Sequence, residues 1–112
     1  EVHHFSDLPA RSGLGSSSAF TVGLLNALRG LNGKISAAQH LGLEAIRIEQ
    51  HVIGEKVGSQ DQMWAAHGGT NFIEFNQNGM INVSKLLMRP GNHDILNDHI
   101  LLFFTGFSPL FF

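Results

Sequence analysis

The chain has 112 residues, 43% hydrophobic and 14% charged, with a formal net charge of −2 at pH 7 and no cysteine. That length fits one small domain, the composition excludes a disordered tail, and the absence of any basic run excludes the electrostatic footprint of nucleic-acid binding. Disulfides, zinc-thiolate sites and thiol nucleophiles are excluded with the cysteines.

The opening Glu1-Val-His-His-Phe5 does not read as a signal peptide. No 18-residue apolar run is present, so a cytoplasmic protein without a membrane span is expected. Residues 2–5 read as the end of a strand and residues 7–14 as a loop. From Ser16 the pattern turns helical, with Phe20, Leu24, Ala27, Leu28 and Leu31 recurring at three- and four-residue spacing. This helix is expected to end near Gly30, before an Asn32-Gly33 turn. Ser36 and Gln39 form a candidate capping box for a second helix, striped by Leu41, Ala45, Ile48 and Val52 and ending at Gly54. Ser59 and Gln62 form another candidate box, opening a short helix over 60–67 that Gly68-Gly69 stops.

Residues 70–75 and 80–83 alternate as strands around the turn Asn76-Gln-Asn-Gly79. Arg89-Pro-Gly-Asn92 is a further turn, and residues 99–105 read as a buried strand. The order of strand, helices, hairpin and strand predicts an α+β fold. Five of the nine phenylalanines, Phe103, Phe104, Phe107, Phe111 and Phe112, lie in the last ten residues. Such an end is either a buried terminal strand or a chain cut inside a domain.

The densest chemical signal is Pro9-Ala-Arg-Ser-Gly-Leu-Gly-Ser-Ser-Ser-Ala19. Gly13 and Gly15 let the backbone curl closely around a ligand. Ser16, Ser17 and Ser18 open a helix whose first N–H groups lack helical partners and carry the positive end of the dipole. This is a phosphate cradle, with Arg11 adding a full charge. The same residues also suit a serine-capped helix after a glycine loop. The Walker pattern fails because no lysine precedes Lys34. A dinucleotide loop fits only as Gly13-x-Gly15-x3-Ala19, with no acidic residue about 20 positions on.

A second constellation is Glu49-x4-Gly54-x3-Gly58-x2-Asp61. Its glycine-bearing loop can fold both carboxylates toward one point. Asp61 at a helix start can accept a hydroxyl proton, and Glu49 can serve Mg2+, which takes oxygen ligands. A solvated Glu and a capping Asp fit the same residues. The seven histidines make no His-Glu-x2-His pattern. His3 and His4 would point to opposite faces, while His40 and His51 share a helix face. Met63 and Trp64 are expected to pack beneath the third helix, and Glu44 and Arg47 to form a surface pair.

Residues 9–19 resemble the second motif of the GHMP kinases (galactokinase, homoserine kinase, mevalonate kinase and phosphomevalonate kinase), Pro-x3-Gly-Leu-Gly-Ser-Ser-Ala, with a serine here where the family often has alanine. The Glu, Gly, Gly, Asp spacing, followed by Gln62, is also similar to galactokinase-like members. Asp7 to Phe20, Gln60-Asp-Gln-x4-His-Gly-Gly-x-Asn-Phe-Ile-Glu-Phe75 and Phe103-Phe-Thr-Gly106 resemble the D-glycero-D-manno-heptose 7-phosphate kinases among them. The resemblance runs from Val2 to about Ser108. It departs at Pro109-Leu-Phe-Phe112, where relatives place an arginine just after the Thr-Gly segment.

The resemblance implies an α+β GHMP kinase N-terminal domain of the ribosomal protein S5 domain 2-like fold. Residues 1–85 would belong to the ATP-binding domain, and 86–112 would supply remaining strands and the start of a link to a C-terminal domain. It implies an ATP-dependent sugar kinase that makes heptose 1,7-bisphosphate from the 7-phosphate, for activated heptose in surface lipopolysaccharide. A fucose- or galactose-type kinase, or an inactive truncated piece, is the alternative, and a dinucleotide-binding oxidoreductase the remote one. Arg11, Ser12, Gly13, Leu14, Gly15, Ser16, Ser17 and Ser18 would bind ATP, Ser17 and Glu49 would hold Mg2+, and Asp61 would be the catalytic carboxylate. The expected partners are ATP and a sugar or sugar phosphate, with homo-oligomerisation left open. The phenylalanine-rich end is then expected to be an internal core strand close to a cut.

Overall fold

A computed structural model describes residues 1–7 and 13–103. Among the described residues the chain divides into two units, one over 1–69 and one over 70–103. The first unit is helical: α1 (Ser16–Leu31), α2 (Ala38–Arg47), a π-helical segment (Ile48–Ile53) that continues α2, and α3 (Gln60–His67). The second holds a hairpin, β1 (Asn71–Phe75) and β2 (Ile81–Lys85), and then α4 (Asn92–Asp98). Helices followed by a small sheet are the α+β architecture the sequence predicts.

In the first unit α3 packs on both α1 and α2. The core is Val22, Leu41 and Ala45, with Leu25 and Ala66 against it; Ile46 and Met63 are also buried. At Gly42 α2 and α3 approach closely. A Cβ there would lie 2.6 Å from Met63 Sδ and 3.4 Å from Ala66 Cβ.

The buried face of α1 differs from the expected one. Ser18 and Val22 point inward, one helical turn apart, and Leu25 extends the row. Phe20, Leu28 and Leu31 are exposed. A helix apolar on several faces does not declare which one its neighbours cover. The Phe20 ring instead meets His4, with centroids 4.6 Å apart. The helix runs one residue past Gly30 and is closed by Asn32, whose Nδ2 donates to Leu28 O at 2.8 Å.

Neither expected capping box forms. Ala37 and Ser59 occupy the N-cap positions without a side-chain cap bond. Ser36 Oγ accepts from Arg29, Ser59 Oγ accepts from Gln50, and Gln62 turns into the interior. Gln39 Oε1 lies 3.2 Å from His67 Nε2. Tertiary partners thus take side chains that local spacing assigned to caps. Glu44 likewise pairs with Arg29 across the helices rather than with Arg47. Met63 is fully buried as expected, whereas Trp64 on the next face is 42% exposed.

The second helix does reach Gly54, its last six residues in the π form. The hairpin forms with Ile73 opposite Val83 and Phe75 opposite Ile81, each strand within two residues of its expected bounds. Asn76 N–H donates to Met80 O and Gly79 N–H to Asn76 O, both at 2.9 Å. The Arg89 turn closes through Asn92 N–H to Arg89 O at 3.0 Å. Two expected strands do not appear among the described residues: 2–5 are not in a sheet, and neither are 99–103. In the second case α4 stands just before the apolar run, and Ile100, Leu101, Leu102 and Phe103 are exposed. Residues 104–112, including Phe104, Phe107, Phe111 and Phe112, lie outside the described residues.

Candidate functional site

The glycine-serine loop enters α1 at Gly15, the N-cap, with φ 72°. This left-handed conformation favours glycine. Space is tight there too: a Cβ on Gly15 would sit 3.3 Å from both Cγ and Oδ2 of Asp61. The loop and the first turn of α3 are therefore in close approach, although 46 positions separate them in sequence. Gly15 O accepts the first helical bond, from Ala19 N–H at 2.9 Å. The N–H groups of Ser16, Ser17 and Ser18 fall in the first turn, where no earlier helical carbonyl is available. With the peptide dipoles behind them they suit an anion. Arg11 and Ser12 lie outside the described residues.

The serines divide by face. Ser17 is exposed, and its carbonyl accepts from Thr21 Oγ1 at 3.2 Å. Ser18 is buried, and its hydroxyl donates to Glu49 Oε2 at 3.0 Å. Glu49 is 1% exposed. It continues the Leu41–Ala45 row at four-residue spacing, so the π-helical continuation of α2 carries it into the interior. That spacing was the available signal that Glu49 is not a solvated side chain. Gln62 Nε2 donates to the same Oε2. Glu49 Oε1 and Gln62 Oε1 are buried and accept no hydrogen bond from any described residue.

Asp61 and Gln62 are neighbours on α3 with different surroundings. Asp61 is exposed beside Gly15, and Gln62 is buried against Glu49. The loop before them is tied down by Gln50, whose Nε2 donates to Val57 O at 2.9 Å and to Ser59 Oγ at 3.1 Å. Sequence reasoning missed the roles of Gln50 and Gln62, because an isolated glutamine carries no positional signal.

No three His, Cys, Asp or Glu side chains cluster as a metal site among the described residues. A cation here would need hydroxyl and ligand oxygens beside a carboxylate. Mg2+ accepts that kind of donor set, one or two carboxylates with phosphates and waters. The unpaired Glu49 Oε1 fits it as well, because a buried anionic oxygen without a donor is costly to leave uncompensated. No helix of the described residues is long and apolar enough to cross a membrane.

Residues 1–69 match the family described as GHMP kinases N terminal domain. The chain is 33% identical over 107 residues to a D-glycero-alpha-D-manno-heptose 7-phosphate kinase of Campylobacter jejuni, covering 96% of this chain and 32% of that protein. It is also similar to the crystal structure of a D-glycero-D-manno-heptose 1-phosphate kinase from Bacteriodes thetaiotaomicron. That likeness has a TM-score of 0.73 and 38% identity, over 76% of this chain and 28% of the other. The chain thus spans about a third of the length of the relatives it matches. The family match covers more than half of the chain and takes in the loop, Glu49 and Asp61 together; the chain belongs to the GHMP kinases through their N-terminal domain.

Proposed function

We propose that the protein, at full length, transfers the γ-phosphoryl group of ATP to a hydroxyl of a manno-heptose phosphate. The observation that carries this reading is the Asp61 carboxylate standing against Gly15. A group that accepts the acceptor's proton lies beside the loop suited to hold phosphates. In this reading Arg11, Ser12 and residues 13–18 bind the nucleotide, with the first-turn N–H groups on its phosphates. Ser17 Oγ and Glu49 Oε1 are the protein oxygens that would hold Mg2+. When bound, the ion neutralises charge on the phosphate oxygens. Asp61 orients the sugar hydroxyl and takes its proton as the oxygen attacks. Most of the catalysis in such a transfer is positioning and charge stabilisation.

The acceptor class rests on the two relatives, whose names share a manno-heptose phosphate and differ in the phosphate position. The 7-phosphate is the preferred acceptor here, giving the 1,7-bisphosphate in the cytoplasm for surface polysaccharide. Radiolabelled ATP offered to the full-length protein with heptose 7-phosphate, fucose or galactose tests this, and label is expected in the heptose. Asp61→Ala should lower turnover about 10²–10⁴-fold with ATP affinity kept. No labelled sugar, or an Asp61→Ala variant with unchanged turnover, would sink the proposal.

A further inference from the structure

The Ser18 and Gln62 side chains both donate to one oxygen of Glu49, and neither donates to the other. A carboxylate with both oxygens free can rotate and present either. Here two donors from two different helices hold Oε2, and Oε1 is left without a donor among the described residues. Gln62 can serve only with its amide nitrogen toward Glu49, since a carboxylate has no hydrogen to give. That orientation leaves its own Oε1 as a second buried acceptor in the same cluster. All three side chains are at least nine-tenths buried, so water competes poorly for these bonds.

We infer that Ser18 and Gln62 are positioning residues that fix the Glu49 carboxylate so that Oε1 is the oxygen presented to a divalent cation. The inference rests on the reading that Glu49 holds the ion. Ser18 stands where the resembled motif often has alanine, so its hydroxyl is an added donor rather than a backbone requirement. It is placed on Glu49, not on the solvent side where Ser17 lies. Gln62 makes α3 part of the ion site while its neighbour Asp61 faces the loop. Groups that orient a metal ligand this way typically change metal affinity about 10–100-fold when removed.

The test is direct Mn2+ binding to the full-length protein with adenylyl imidodiphosphate, followed by the electron paramagnetic resonance of free Mn2+. Ser18→Ala and Gln62→Met are compared with the parent, alongside unfolding temperatures without metal. Each variant is expected to weaken Mn2+ binding about 10-fold or more. Glu49→Gln should nearly abolish it. Unchanged Mn2+ affinity in Ser18→Ala and Gln62→Met, with binding lost in Glu49→Gln, overturns the positioning role and leaves the ion reading intact. A lower unfolding temperature with parental Mn2+ affinity overturns it equally, since the two donors would then be structural only. Unchanged affinity in Glu49→Gln overturns the ion reading itself. Should Gln62→Met fail to fold, Ser18→Ala decides alone, because alanine keeps the α1 backbone.

Discussion

Replacing Gly15 by alanine separates backbone strain from the placement of Asp61. The residue sits at φ 72°, where a Cβ meets the following carbonyl at a cost of about 1–2 kcal/mol. The new methyl would also stand 3.3 Å from Asp61 Cγ and Oδ2 and 3.5 Å from its Cβ. Asp61 is exposed, so its carboxylate can swing aside by a few tenths of an ångström, and the contact adds little to the stability loss. The expected loss is therefore about 1–2 kcal/mol, or roughly 2–8 °C in a domain of 150–250 residues.

Turnover should respond more strongly. A misplacement of about 1 Å can cost about 100-fold, so a smaller shift of Asp61 should cost on the order of 10-fold in kcat. The measurement is kcat, KM for ATP and unfolding temperature for Gly15→Ala, Asp61→Ala and the double variant. If the methyl acts by displacing Asp61, it lowers kcat in the parent and not in the Asp61→Ala background, while the unfolding penalty appears in both. A kcat loss of equal size in the two backgrounds means that the effects add. That result would refute the argument that Gly15 is glycine for the sake of Asp61.

Gly42→Ala should destabilise the first unit by about 0–2 kcal/mol, read by urea unfolding. Overpacking against Met63 Sδ at 2.6 Å costs about 1–3 kcal/mol, offset by up to about 1 kcal/mol of helix propensity; clear stabilisation would contradict the close approach. Arg29→Met removes the cross-helix pair with Glu44, whose two side chains are about a quarter exposed. It should cost about 1 kcal/mol or less and leave kcat alone, which steady-state kinetics beside thermal melts will check. Gln50→Ala frees the carbonyls of Val57 and Gly58 and the Ser59 hydroxyl. Faster amide exchange over residues 55–60 and a lower kcat are expected; parental values of both would show that Gln50 does not hold the loop.

The elements best read from sequence are those whose signals are local. The hairpin follows from alternation around Asn76 to Gly79, because a turn that closes within four residues depends on little else. The ends of the second and third helices at Gly54 and Gly68 are similar. Readings that depended on a distant partner fared worse. Ser36 and Gln62 had the spacing for caps, yet Arg29 and Glu49 claimed them. The outer stripe of α1 had the right period on the wrong face, since Val22 and Ser18 meet the other helices. The apolar run at 99–103 looked like a core strand because composition cannot tell a buried strand from an exposed apolar segment. At the site, the glycine-serine loop and the Glu49 to Asp61 spacing were each legible as a pattern, whereas the approach of Asp61 to Gly15 and the choice of Ser18 to meet Glu49 depended on how the helices pack.

The first turn of α3 explains why the Asp61 and Glu49 carboxylates can stay in register. Successive helical residues point about 100° apart, so Asp61 and Gln62 cannot share the same surroundings. One looks out to Gly15 and the other in to Glu49. Any tilt of α3 that moved Asp61 along the loop would also pull the Gln62 amide from Glu49. The packing of α3 on α1 and α2 together and the seating of Met63 beneath Gly42 resist that tilt. The Gln50 bonds fix the approach of the chain. A helix of eight residues is marginal by itself, so its precision is borrowed from these tertiary contacts. Placing Asp61 and the support of the buried Glu49 carboxylate on adjacent residues makes one turn set the geometry of both.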